Sequence, residues 1–170
     1  MTARGNMGLE KRKVDAIDLK IISCLKENCR VNASAISQKL GMSVSAIIDR
    51  IKKLEKSGVI KQYSLILDNS KIGLDVCAFV EVSTNDKNYL SAMNGTKEFI
   101  ATHPEIIECH AVTGSSMFIM KVNTSTMNDL ERLLGELQTF DGVIQTKTSI
   151  VLNTLKQETL ADLDQLIEAE

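Results

Sequence analysis

Gly41 and Gly58 constrain this chain most, because each stops a run of apolar residues at helical spacing and leaves room only for short helices between them. Asp15 is a natural N-cap, and Asp18 follows in the first turn, where negative charge is favoured. Ile17, Ile21, Ile22 and Leu25 then recur at helical spacing, and the pattern fades near residues 28–30. A second helix is predicted over Ser34–Leu40, with Ile36 and Leu40 turned inward, before Gly41 provides a left-handed cap. Ser43 is the N-cap of a third helix that runs to Ser57 on the stripe Ile47, Ile51 and Leu54, and Gly58 ends it. Three helices and a glycine turn in about 45 residues have the dimensions of a helix-turn-helix module.

The remainder changes period. A strand is predicted over Val59–Leu67, then a polar linker over Asp68–Lys71 and Gly73. Val76–Val82 reads as a strand, and Asn88–Thr102 as a helix through Leu90, Met93 and Phe99, closed by His103-Pro104. Ile106–Thr113 and Met117–Val122 are strands around the hairpin Gly114-Ser115-Ser116. Thr126–Leu137 is a helix, Asp141-Gly142 a turn and Val143–Leu152 a strand, with a tail helix over Leu160–Ile167. The fold class is α+β. A winged-type helix-turn-helix domain (residues 1–62, with a basic arm) joins through a strand linker (63–74) to a ferredoxin-like βαββαβ domain (75–170). Two helices cover one face of such a sheet. The alternation of Val76, Ala78, Val80 and Val82 with Cys77 and Phe79, and of Phe118, Met120 and Val122 with Met117 and Ile119, reads as apolar on both faces. The second face therefore calls for another copy of the chain.

Charge divides the same way. Residues 1–62 hold 13 Lys+Arg against 6 Asp+Glu, whereas residues 63–170 hold 7 against 16. A basic half suits a polyanion; the plainer reading is surplus lysine on solvated helix faces. On the third helix Val44, Ser45, Asp49 and Lys52 point away from the apolar stripe, with Arg50 and Lys53 on the flanks and Ser43 at the cap. A helix fits the DNA major groove, where Ser, Arg and Lys reach base edges or phosphates and Asp accepts from a cytosine amino group. Arg50 and Lys52 are expected to contribute to operator binding. Lys11, Arg12 and Lys13 in the arm, with Arg30 and Lys61, are placed to hold phosphates.

Other chemistry is excluded more firmly. Cys24, Cys29, Cys77 and Cys109 show no tight pairing and no CxxC spacing, and read as reduced thiols. Cys109 and His110 are neighbours on a strand, so they face opposite sides and cannot share a metal. No Gly-rich phosphate loop or catalytic set is present, so neither an enzymatic activity nor a metal or cofactor is expected. The N-terminal residues carry no apolar export signal, and no run approaches the about 20 apolar residues of a membrane span, so a cytoplasmic location is expected.

The residues Val14-Asp15-Ala16-Ile17-Asp18 with Ile21, Asn28-Cys29-Arg30, Leu40-Gly41-Met42-Ser43, Arg50-Ile51-Lys52-Lys53-Leu54-Glu55 and Gly58-Val59-Ile60 resemble the leucine-responsive regulatory protein/AsnC family. Glu108-Cys109-His110-Ala111-Val112-Thr113-Gly114, Lys121-Val122, Gly142-Val143, Thr146 and Thr148 continue the resemblance, which covers about residues 14 to 156. It implies a sequence-specific regulator of double-stranded DNA whose recognition helix is Ser43–Ser57. It further implies a homodimer assembling to an octamer, with a small effector, typically an amino acid, between C-terminal domains. In that arrangement Gly114, Ser115, Ser116 and Met117 of one chain would meet Thr146 and Thr148 of its neighbour. The chain departs from the family where many members carry an acidic-aromatic-Asp triplet after Val-Thr-Gly; here it is Ser115-Ser116-Met117. Without that carboxylate, weak or absent binding of simple amino acids, or a different ligand, is expected. The competing readings are a metabolite-binding or enzymatic ferredoxin-like module without DNA binding, and an assembly protein that touches DNA without specificity.

Overall fold

The computed structural model describes residues 14–85, 89–158, 160 and 163. The expected arm with Lys11, Arg12 and Lys13, the side chain of Leu90, and the tail helix apart from Leu160 and Leu163 lie outside them. The chain divides into two compact units, one of residues up to Leu65 together with the end from Gln157, the other Ile66–Lys156.

The first unit is three helices, α1 (Ala16–Glu27), α2 (Ala33–Leu40) and α3 (Val44–Lys56). Asp15 caps α1 in a reciprocal box. The Asp18 N–H donates to the Asp15 carboxylate at 2.8 Å, and the Asp15 N–H to that of Asp18 at 3.2 Å. Asn32 and Ser43 cap α2 and α3 by accepting from Ala35 N–H and Ala46 N–H. Gly41 stands at φ 66°, the left-handed conformation its missing Cβ permits. Ile21, Cys24, Ile36, Ile47 and Leu54 form the core, and Leu19 is buried as well. The inward stripe of α1 is thus rotated from the expected one, for Ile17 is 37% exposed.

One expectation for the linker needs correction. Residues 59–67 form no strand, because no segment among the described residues pairs with their backbone and a strand needs a partner's hydrogen bonds. Leu65, Ile66 and Leu67 are exposed, while Tyr63 is fastened by its hydroxyl, which donates to Glu55 at 2.9 Å. The polar segment after them contains a short 3-10 turn, Asn69–Ile72, stopped by Gly73.

The second unit runs β1 (Val76–Thr84), α4 (Tyr89–Thr102), β2 (Ile106–Ala111), β3 (Phe118–Thr124), α5 (Met127–Thr139) and β4 (Val143–Ile150). The sheet is antiparallel in the order β2-β3-β1-β4, the split βαβ arrangement that the element order predicts. Ala78, Val80 and Val82 stand beside Val122, Met120 and Phe118 across the β1–β3 register, and all six are buried with Phe99, Leu130, Leu133 and Leu137. Gly95 allows α4 close to the turn after α5: a Cβ there would stand 3.3 Å from the Phe140 ring.

The opposite face is less apolar than the strand pattern suggests. It carries Cys77, Phe79 and Ile119, but also Glu81, Glu108, Lys121 and Lys147. Lys121 reaches Glu108 at 3.4 Å and Lys147 reaches Glu81 at 3.6 Å. The apolar alternation breaks where β1 reaches Glu81 and β3 reaches Lys121, so this face is mixed rather than wholly apolar.

His103 locks α4 to α5. Its ring stacks on Phe99 with centroids 3.9 Å apart. Nδ1 lies 2.7 Å from the Phe99 carbonyl and 3.1 Å from the Thr102 hydroxyl, and Nε2 lies 2.9 Å from Glu136. The Phe99 carbonyl and the Glu136 carboxylate only accept, so both bonds form together only in the imidazolium. Burial works against that charge. The bonds to Glu136 and the Phe99 carbonyl, with the negative charge of Glu105 and Glu136, outweigh it and raise the pKa above the usual histidine value. Arg132 spans the same carboxylates, at 2.8 Å from Glu136 and 3.0 Å from Glu105. A pKa raised on folding stabilises fully below the unfolded value and loses its effect as pH rises through the folded one. Thermal melts should therefore show the advantage of the native chain over His103→Gln at pH 6 shrinking steadily above about pH 6.5. A pH-independent difference would mean that the ring contributes by packing alone.

Candidate nucleic-acid interface and effector groove

Successive residues of a helix are about 100° apart, so Arg50 and Lys52 lie on nearly opposite sides of α3. The structure puts Arg50 on the inner side. Its Nη1 donates to Asp15 Oδ2 and Asp18 Oδ1, each at 2.7 Å. Asp18 is only 3% exposed, so this contact neutralises a buried carboxylate. Slight burial disfavours the charge of Asp15, but the Asp18 N–H and the Arg50 guanidinium outweigh that and hold its pKa below the ordinary range. The guanidinium is correspondingly raised by its two carboxylates. Arg50, expected on the flank of the reading set, fastens α3 to the capped start of α1.

The outer side of α3 presents Val44, Ser45, Ile48, Asp49 and Lys52, all exposed, with Lys53 and Lys56 beside them. Among the described residues no ion pair or side-chain hydrogen bond engages Asp49, Lys52 or Lys53. Ser45 Oγ lies 3.2 Å from Ser43 Oγ, and Ser43 also accepts from Ala46 N–H. Ser43 is thereby committed in part to capping. Arg30 and Lys61 are exposed. Ile48, 38% exposed in the middle of this row, was not among the expected contacts. It follows Ile47 in sequence and reads as core until the helix phase is fixed.

In the second unit the loop 112–117 folds back over the end of β1. Val112 N–H donates to the Met117 carbonyl, Met117 N–H to the Val82 carbonyl and the Ser83 hydroxyl to the Ser115 carbonyl. Gly114 sits at φ 134°, with no atom within 4 Å of where a Cβ would stand. The loop walls an open groove of about 610 Å³ lined by Glu81, Ala111, Val112, Thr113, Gly114, Ser115, Ser116 and Ile119. The Ser116 hydroxyl donates to Glu81 Oε2 at 3.0 Å. Glu81 is the residue missed in the sequence. The hairpin lacks a carboxylate, but β1 delivers one to the same groove from a position 35 residues away. Only the strand register discloses it.

Met117 does not line the groove; its sulfur is the neighbour of the Thr84 hydroxyl. Thr146 and Thr148 pair with Val82 and Val80 and therefore share the helix-covered face, where Thr146 accepts from Gln138 at 3.1 Å. Within one chain they are not brought to the hairpin. Cys109 faces the core beside Met120, and burial pushes its thiol pKa up; His110 pairs with Ile119 on the other face.

Comparison with known proteins gives these features a setting. Residues 14–61 match the model of a winged helix-turn-helix DNA-binding domain, and residues 77–161 that of the Lrp/AsnC ligand binding domain. The HTH-type transcriptional regulator FL11 of Pyrococcus horikoshii is 34% identical over 86% of this chain and 94% of its own length. The leucine-responsive regulatory protein of Haemophilus influenzae is 31% identical over 88% and 92%. A Neisseria meningitidis transcriptional regulator solved in complex with L-methionine superimposes with a TM-score of 0.82 at 28% identity, covering 90% of this chain and 99% of that one.

The Arg50 clamp makes a prediction of its own. Arg50→Ala leaves a buried acceptor without its partner, which should cost about 1–3 kcal/mol. Urea unfolding followed by helical circular dichroism should show the loss, whereas Lys52→Ala should unfold like the native chain.

Proposed function

The chain belongs to the Lrp/AsnC family of DNA-binding transcriptional regulators and is not an enzyme, and on that premise we propose that α3 is the helix that reads the major groove. The exposed row Val44, Ser45, Ile48, Asp49 and Lys52, within which Asp49 and Lys52 make no ion pair or side-chain hydrogen bond among the described residues, carries this reading. Ser45 and Lys52 offer donors to base edges or phosphates, Asp49 an acceptor for a cytosine amino group, and Val44 and Ile48 apolar contact for thymine methyls. Lys53, Arg30 and Lys61, and Lys11, Arg12 and Lys13 beyond the described residues, are assigned to phosphates. The functional division follows the charge: residues 1–62 bind DNA, 63–74 connect, and 75–170 sense and assemble, in the cytoplasm.

For the second part we infer a homodimer, built up further to an octamer, with a small effector in the hairpin groove. The exposed Phe79, Ile144, Ile150, Leu152 and Leu155 favour association. The methionine complex of the Neisseria relative, and the name of the Haemophilus one, favour an amino acid as the effector class. Thr146 and Thr148 would then serve through a neighbouring chain. Two recognition helices of a dimer should fall about 34 Å apart, on successive turns of a near-palindromic site.

Fluorescence anisotropy on an operator obtained by in vitro selection tests the DNA reading. Lys52→Ala should weaken binding about tenfold or more, as a lost base-edge contact does. It should also discriminate less against altered base pairs. Binding that ignores sequence and Lys52 alike would place α3 outside the groove. Sedimentation of the full chain at micromolar concentration should show a dimer or larger; a monomer would overturn the assembly reading.

A further inference from the structure

We propose that Glu81 is the specificity-determining residue of the hairpin groove and holds a protonated amine of the ligand; this rests on the reading of that groove as the effector site. The groove is built from one strand and one loop, and their chemistry is uneven. The loop contributes Gly114 with its open backbone, the Ser115 and Ser116 hydroxyls and Thr113. None of these carries charge. The sole ionisable side chain among the lining residues is Glu81, which β1 presents on the face away from the helices.

Its setting fits a cation acceptor. Ser116 donates to Oε2 at 3.0 Å, which orients the carboxylate from the loop side. Lys147 stands 3.6 Å from Oε1 and is largely exposed, so it balances part of the charge without enclosing it. A carboxylate offers about four lone-pair directions, and these two neighbours use half of them. The free directions are available to a ligand amine, while Ile119 supplies an apolar floor beside it. Gly114, with nothing near its absent Cβ, leaves the groove wall open for the rest of the molecule. The carboxylate missing from the hairpin is thereby supplied from β1, and the groove selects molecules with a free ammonium group over neutral or purely anionic ones. Ser116 acts as a positioning residue.

Calorimetric titration of the full chain with the twenty amino acids, each against its N-acetyl derivative, tests this. Acetylation removes the ammonium charge and keeps the rest of the molecule. The amino acid that binds should do so about tenfold or more tightly than its acetylated form, the size expected of a hydrogen bond to a charged group. Glu81→Gln should remove most of that preference, lowering affinity for the free amino acid by about tenfold and for the acetylated one by less than about threefold. Ser116→Ala, which leaves the carboxylate in place, should lose about threefold and serves if the first variant does not fold. Thr113→Trp, which fills the groove from a lining position without a positive φ, should abolish binding of both forms. Free and acetylated forms binding alike, or Glu81→Gln binding as the native chain does, would overturn the role of Glu81. Loss with Thr113→Trp would then still uphold the groove as the site. Absence of binding by every amino acid would overturn both.

Discussion

A four-stranded sheet with two helices has one face too many. In this chain α4 and α5 bury Ala78, Val80, Val82, Phe118, Met120 and Val122, and the period of two along each strand then puts every intervening residue on the other side. That constraint places Phe79 and Ile119 where water meets them, and it places Glu81 beside the hairpin. The proposed ligand contact is a consequence of this uncovered face, and Phe79 on it contributes to the proposed assembly. Its mixed character matters: Lys147 near Glu81 and Lys121 near Glu108 keep it wettable in a single chain. The apolar residues between them still give a second copy something to bury.

The first unit solves a different problem, that of holding three short helices together with a small core. Helices of 8 to 13 residues are marginal alone, so their termini and packing decide their stability. Arg50 links these two devices. It completes the capping box of α1 from the side, neutralises the buried Asp18, and fixes the rotation of α3 about its axis. Once that rotation is fixed, the outward row is determined, and Lys52 and Asp49 point away from the core. An arginine in the stretch Arg50-Ile51-Lys52-Lys53 looks from charge alone like one more phosphate contact. The two aspartates at 15 and 18, already assigned to capping, were the sign that it had partners nearer home.

Much of the fold was legible because it is governed by local rules. The two caps Asp15 and Ser43, the glycine stop at Gly41, and the order of strands and helices follow from neighbours in sequence. What failed to read depended on distant residues. Val59–Leu67 has the composition of a strand but no partner among the described residues, and composition cannot supply one. Glu81 escaped notice among the apolar residues of β1, because its meaning comes from Ser116, reached only through the pairing of β1 with β3.

The proposed reading row of α3 contains one residue that opposes DNA, and its presence argues for selectivity over affinity. Asp49 is exposed between Ser45 and Lys52, and a carboxylate there is repelled by phosphates wherever the helix docks. At a site offering a cytosine amino group, that repulsion is offset by a hydrogen bond; elsewhere it stands uncompensated. Lys53, assigned to a phosphate, attracts every duplex alike, so it raises binding to right and wrong sites together. Specificity is a difference between affinities, and a group that penalises the wrong site widens that difference at little cost in the right one. A row of lysines alone would suit a protein that coats DNA. Replacing one position by an acid suits a protein that must choose.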